Sequence, residues 1–276
     1  MANSSQSYLL DNAESLAKEK DRLIKQAKIL FSLEESAIVK TVGRITAPLR
    51  ILDLGCGNAA YLSLLQSKFE NSVCCGYERN ADLITQAKLL SPDLLIIKGD
   101  LTDEDNLSKV IDEFSPNYIN LRFVLQHLNE LEIERVLKTI NKSIKPGTQL
   151  VIVEPDDAAF FMTEKNTEVE ELVVRTMKVQ AKRGGDRTIA SSLERKLDRC
   201  GFYKVEKTST SLTKKTSGID AIVQIILPMW RSYESSDDKN KIENKVKSVA
   251  AWLEKKSKEE AFDIVFPIFL FSVELY

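Results

Sequence analysis

Apolar positions along the chain change period twice. Over residues 10–42, Leu16, Leu23, Ile24, Ala27 and Leu30 recur at helical spacing with Lys and Glu between them, and Pro48 closes the segment. From Arg50 onward short apolar runs alternate with helical stretches. Strands are expected at 51–54, 73–77, 94–97, 118–121 and 149–153. Helices are expected at 58–69, at 80–90 (ended by Pro92), through Leu107, Val110, Ile111 and Phe114, and at 130–144 on the stripe Leu131, Val136, Leu137, Ile140 and Ile144. Strands separated by helices are βαβ units. Their right-handed crossovers give a parallel sheet covered on both faces, which suits the Ile, Val and Leu density of these runs.

Beyond Glu154 the alternation stops. Thr167 with Glu170 reads as a capping box, Val169, Leu172, Val173 and Met177 form one face, and Gly184-Gly185 ends that helix. A helix is expected at 192–200, stopped by Gly201, and a strand at 202–207. Residues 218–230 are strongly apolar, 238–258 read as a charged helix on Ile242, Val246, Val249, Ala250 and Leu253, and 262–275 as a final strand.

The 276 residues are 43% hydrophobic and 29% charged, which is globular composition. Basic and acidic residues nearly balance at 39 and 41, so bulk charge gives no reason to expect nucleic acid or anionic lipid as a partner. No run reaches the roughly 18 apolar residues of a membrane span, and residues 1–10 lack the features of a secretory leader. Cys56, Cys74, Cys75 and Cys200 form no C-x-x-C pair, and His127 is the single histidine, so neither disulfides nor a zinc site is expected. These features lead to an expectation of a cytoplasmic chain that needs no metal.

The candidate chemistry starts at Ile51-Leu52-Asp53-Leu54-Gly55-Cys56-Gly57-Asn58-Ala59-Ala60, where a buried strand runs into a glycine turn and then a helix. Glycine permits positive φ and lets a ligand reach the backbone, and the helix N-terminus behind it offers free N–H donors. Asp53 precedes the glycines. Glu78 ends the second strand about 25 residues on, where an acid commonly accepts both ribose hydroxyls, and Asp100 follows the third strand in Gly99-Asp100-Leu101. Asn80 and Asp103 are better placed to cap the following helices, which leaves Glu78 and Asp100 for a ligand.

The stretch Asp53-Leu54-Gly55-Cys56-Gly57, with Glu78, Gly99-Asp100-Leu101 and Pro146-Gly147, resembles the class I S-adenosylmethionine-dependent methyltransferases, small-molecule branch, over roughly residues 8–153. The resemblance implies an α/β, Rossmann-like three-layer sandwich: a seven-stranded, mostly parallel sheet with an antiparallel last strand, plus helical additions at the N-terminus and between the late strands. It implies a helical cap at 1–48 and a methyltransferase domain at 49–276, with lid insertions about 157–187 and 209–258. It also implies a site for S-adenosyl-L-methionine. Asp53, Leu54, Gly55, Cys56 and Gly57 would cradle its methionine part and ribose, with Glu78 and neighbouring Arg79 at the ribose and Asp100 and Leu101 at the adenine. Leu121 and Arg122, with Phe123, would lie near the methionine end, and Tyr8, Arg22 and Gln26 on a helix that closes over the cofactor. The usual third glycine is Ala59, so slight crowding is expected.

A dehydrogenase reading rests on Gly55-x-Gly57-x-x-Ala60. It is disfavoured because Asp53 would repel a pyrophosphate, whereas it would attract a sulfonium. His127, just past the fourth strand, is the candidate general base, since its ordinary pKa suits neutral pH. Glu154 and Asp156, at the end of the fifth strand, and Trp230 are candidate acceptor contacts. Ile225, Met229 and Phe161 are candidates for an apolar pocket wall, and residues 182–187 for holding a phosphate or carboxylate. The function expected is methylation of a small-molecule acceptor. Methylation of protein or RNA, and a noncatalytic cofactor-binding partner module, stay open, as does oligomeric state.

Overall fold

A computed structural model describes residues 13–232 and 239–274. A 30-residue helix, α1 (Ala13–Val42), leads into β1 (Arg50–Leu54), α2 (Ala60–Lys68), β2 (Val73–Glu78), α3 (Ala81–Leu90), β3 (Leu95–Lys98), α4 (Glu104–Phe114), β4 (Tyr118–Arg122), α5 (Glu130–Ser143) and β5 (Gln149–Pro155). Then follow the short β6 (Phe161–Met162), α6 (Thr167–Lys182), α7 (Leu193–Arg199), β7 (Glu206–Leu212), α8 (Lys214–Ser232), α9 (Lys239–Lys256) and β8 (Ile264–Glu274).

The five strands expected from the apolar runs pair in parallel, in the order β3-β2-β1-β4-β5. β8 joins β5 antiparallel, and β7 pairs antiparallel with β8, completing a seven-stranded mixed sheet; β6 adds two residues against Val265 and Ile264. Chain direction therefore diverges at β1, with β2 on one side and β4 on the other, and the carboxyl ends of these strands form the crevice where open α/β sheets bind ligands.

Alternate strand residues feed two cores. Ile51, Tyr118, Val151 and Val153 face α1, α2 and α8, while Leu52, Leu54, Ile119, Leu121, Leu150 and Ile152 face α4, α5 and α7. Asn80 and Asp103 cap α3 and α4 as expected, each side chain accepting from backbone N–H groups of the first turn.

Three expectations are corrected. The cap of α6 is Asn166, whose side chain accepts from Val169 N–H at 3.1 Å, rather than Thr167. The strand expected at 202–207 begins at Glu206, because Gly201 and Lys204 both hold positive φ and turn the chain first. The second lid insertion, expected from 209, cannot start until β7 ends at Leu212. The apolar stretch at 218–230 lies within α8, which is broken at Gly218 (φ +78) and carries Pro228. Among the described residues no helix is long and apolar enough to cross a membrane.

Candidate active site

The turn after β1 is tied to its neighbour strand, since Gly55 and Cys56 both donate their N–H to Tyr77 O, at 2.8 and 3.2 Å. Gly55 and Gly57 adopt φ of +75° and +57°. A Cβ on Gly57 would meet nothing nearer than Leu23 Cδ1 at 4.0 Å, so the open side of this residue is cavity rather than protein. Ala59 also adopts positive φ (+58°) at the start of α2, where the resemblance has glycine; it is fully buried and absorbs the strain of the left-handed conformation.

Asp53, Glu78 and Asp100 line one cavity of about 430 Å³. Asp53 is 3% exposed, sits opposite Asn120 in the β1–β4 register, and accepts from Asn120 Nδ2 at 2.7 Å. Burial pushes its carboxyl up to about 6, partly offset by the Asn120 hydrogen bond and the Arg122 charge. Glu78 holds the site together: Oε2 accepts from Gly57 N–H at 2.9 Å, and Oε1 from the N–H groups of Arg79 and Asn80 at 2.9 and 2.8 Å. Asp100 Oδ1 accepts from the N–H and Oγ1 of Thr102, while Oδ2 lies 3.6 Å from Arg79 Nη1. Cys56 and Leu101 complete this part of the wall.

α1 crosses the cavity and contributes Arg22, Leu23, Gln26, Ala27 and Leu30. Arg22 is held by Glu19 at 2.7 Å and by Gln26 at 3.2 Å. A second anchor is buried deeper. Arg122, at the end of β4, donates to both carboxylate oxygens of Glu34 on α1, and its guanidinium stacks against the rings of Tyr61 and Phe123 at 4.3 and 4.2 Å. Tyr61 donates to the same Glu34 at 2.5 Å.

Beyond the ends of β4 and β5 the expected roles change. His127 lines the cavity, but its Nδ1 lies 2.9 Å from Gln180 Nε2, an amide nitrogen that also donates to Gln126 O at 2.7 Å. An amide nitrogen is a donor, so Nδ1 accepts and the ring proton sits on Nε2. Burial, with Arg187, Arg79, Arg22 and Arg183 around it, pushes the imidazole down to about 3. Held this way, the ring carries its proton on Nε2 and its Nδ1 lone pair is engaged by Gln180.

Glu154 is fully buried and does not line the cavity: Oε1 accepts from the N–H groups of Val124 and Leu125 at 2.9 and 2.6 Å, so the side chain fixes the loop after β4. Trp230 is 1% exposed, packs on Phe266 and, like Glu154, is not among the residues that line the cavity. Leu54 and Leu121 likewise turn into the core between the sheet and α4 and α5, leaving only main chain near the turn. Phe161 is 57% exposed on β6, away from the cavity, while Phe160, Ile225 and Met229 line it. Tyr8 lies outside the described residues. Asp156 does line the cavity, as do Asp157, Arg183 and Arg187; Arg187 is bound to both oxygens of Asp157 at 2.8 Å and to Gln126 Oε1 at 2.5 Å.

A glycine turn, three strand-end acids and the order 3-2-1-4-5 with an antiparallel final strand define the class I S-adenosylmethionine-dependent methyltransferase fold. The chain belongs to the methyltransferase-domain family, whose profile matches residues 14–207. Among curated proteins none matches the sequence. Solved structures similar to it include a SAM-dependent methyltransferase from Archaeoglobus fulgidus (13% identity, TM-score 0.52, 95% of this chain and 100% of that one). Another is an O-methyltransferase family protein from Burkholderia thailandensis (14%, 0.55, 72% and 57%). A third is phosphoethanolamine N-methyltransferase 2 from Haemonchus contortus in complex with S-adenosyl-L-methionine (16%, 0.51, 88% and 52%), so the chain spans about half the length of that enzyme.

Proposed function

We propose that this protein transfers a methyl group from S-adenosylmethionine to a small molecule held in the same cavity. The observation that carries the reading is the convergence of the Gly57 cradle, Asp53, Glu78 and Asp100 on one cavity whose far wall is apolar and which α1 and α8 cross. The residues fit the cofactor. Gly57 leaves open the space a Cβ would take, Glu78 and Asp100 are acceptors at the ends of adjacent strands for ribose hydroxyls and an adenine amino group, and Asp53 is a buried carboxylate with no cationic partner at ion-pair distance among the described residues. Bound S-adenosylmethionine supplies an electrophilic methyl group on a positively charged sulfur.

The protein's own contribution is positioning and exclusion of water. In-line displacement is accelerated chiefly by holding nucleophile and carbon in register, and by a site in which charge is dispersed away from solvent. The loop after β4, pinned by Glu154, and the Arg122–Glu34–Tyr61 cluster hold the walls in place, and Phe160, Ile225 and Met229 give the acceptor an apolar surface. In this reading residues 1–48 act as a cap over the cofactor, and the segments about 157–187 and 213–258 form the acceptor lid. Four buried free cysteines suit a reducing compartment such as the cytoplasm.

Calorimetry with S-adenosylhomocysteine tests cofactor binding, and a tritiated-methyl assay over metabolite, protein and RNA fractions tests the acceptor. Binding with label in the metabolite fraction is expected. Label confined to protein or RNA would replace the small-molecule reading, and binding without label in any fraction would favour a noncatalytic module.

A further inference from the structure

We propose that Asp156 is the proton acceptor of this reaction, and that the molecule it serves is an amine carried on an apolar body; this rests on the methyl-transfer reading above. Asp156 directly follows β5 and is only 5% exposed, yet it lines the cavity. Its Oδ1 accepts from Ala158 N–H at 3.0 Å and caps the short turn Asp157–Ala159, which fixes the direction of the carboxyl group. The backbone N–H of Ala159 also bears on this carboxylate, and no cation pairs with it among the described residues. Unlike Glu154, which lies outside the cavity wall, Asp156 is one of the residues that line the cavity. The site thus contains an oriented carboxylate without a cationic partner just past the end of β5, apart from the acids at β1 to β3.

The neighbouring groups leave that carboxylate its charge. Arg187 is committed to Asp157 and Gln126, and Asp186 Oδ1 to the N–H and Oγ1 of Thr188 at 2.8 and 2.7 Å. His127, at the same end, has its Nδ1 engaged by Gln180 Nε2. Burial, with the charges of Asp157 and Asp186, holds the Asp156 carboxyl above its ordinary range, which strengthens it as a base and favours an incoming cation.

An amine follows from the chemistry. A carboxylate is far too weak a base for an alcohol, but a nitrogen gains positive charge as its new bond forms, and its N–H becomes acidic. The nitrogen lone pair forms the N–C bond as the methyl C–S bond breaks, with that bond's electron pair left on sulfur. A proton of the resulting ammonium passes to the Asp156 carboxylate, which ends neutral. Phe160, Ile225, Ile226, Met229 and Phe266 offer the apolar surface for the rest of the acceptor.

The test uses the full chain, tritiated-methyl S-adenosylmethionine, and a panel of arylalkylamines, phenols, aliphatic alcohols and carboxylic acids. Label is expected in an amine. At saturating S-adenosylmethionine, which removes the Asp53 contribution, Asp156→Asn should lower kcat on that amine by about 100-fold and abolish the acidic limb of the kcat profile, with S-adenosylhomocysteine affinity within about twofold of wild type. If Asp156→Asn does not fold, Asp156→Glu, which keeps the carboxylate, must retain the acidic limb. Wild-type turnover in Asp156→Asn, loss of the limb in Asp156→Glu, or label in no amine would each overturn the proposal. Failure to bind S-adenosylhomocysteine at all would instead overturn the methyl-transfer reading beneath it.

Discussion

Replacing Glu154 by Gln should make the protein more resistant to alkaline pH. Glu154 Oε1 receives two backbone N–H groups, while Oε2 is buried without a partner, and burial pushes the carboxyl up to about 8 from an ordinary value of 4.5. The folded state therefore holds a proton that the unfolded state has released between these two values. Fewer bound protons in the unfolded state mean that stability falls as pH rises through this window, by about 1.4 kcal/mol per unit, and levels off above the folded value. The full gap corresponds to roughly 5 kcal/mol, of which roughly 3 kcal/mol falls between pH 6 and pH 9. Gln keeps an oxygen for Val124 and Leu125 but does not titrate. Urea unfolding of both proteins at pH 6 and pH 9 measures a double difference from which the other titrating groups cancel. The variant should gain roughly 3 kcal/mol on the wild type across that range. A difference that is the same at both pH values would show that Glu154 is ionised throughout, and that its role in pinning the loop is that of a charge.

Asp53 titrates near 6 when folded, and a sulfonium needs it ionised, so S-adenosylmethionine affinity should fall by up to about tenfold per unit below pH 6. Asp53→Asn should lose that dependence and bind about 10- to 100-fold more weakly at pH 7.5, as calorimetry from pH 5 to 8 would register. Gly57→Ala puts a Cβ into the cradle at positive φ; it should weaken S-adenosylhomocysteine binding at least about tenfold and cost about 1–2 kcal/mol of stability, read by calorimetry and urea unfolding. Glu34→Ala strands Arg122 in the interior and should cost about 3–5 kcal/mol in denaturant unfolding, against a smaller loss for Glu34→Gln.

Strands β1, β2, β4 and β5 were legible in the sequence because burial writes them as apolar runs, the half-exposed edge strand β3 because its own run is apolar too, and the cofactor acids because each stands where such a run ends. The edge strand β7 was expected four residues early, at 202–207. Glu206-Lys207-Thr208-Ser209-Thr210-Ser211 carries no apolar alternation, and its pairing partner, β8, lies more than fifty residues away. Glu154 was expected at the acceptor because it ends a strand, but strand-end position does not say which way a side chain turns, and this one turns under the next loop. His127 was assigned an ordinary pKa because the burial of its ring, and the guanidiniums of positions 187, 79, 22 and 183 around it, arise only in the fold. The Glu34–Arg122 anchor, with partners 88 residues apart, is hidden for the same reason.

The pairing of charges around the cavity gives the two ends of the site their chemistry. Arg22 stands with Glu19, Arg79 with Asp100, Arg122 with Glu34, and Arg187 with Asp157. Glu78 is satisfied by three backbone N–H groups. Among the cavity carboxylates of the described residues, Asp53 and Asp156 have no cation at ion-pair distance; Asp53 accepts from Asn120 Nδ2, and Asp156 from backbone N–H groups of Ala158 and Ala159. Buried carboxylates in that condition are raised toward neutrality and regain their charge most readily when a cation arrives. In the proposed reaction positive charge occupies two places in turn, the sulfur before transfer and the acceptor nitrogen after it. Asp53 beside the glycine turn and Asp156 beyond β5 supply one uncommitted carboxylate for each, so that charge can cross the cavity without either position being left uncompensated.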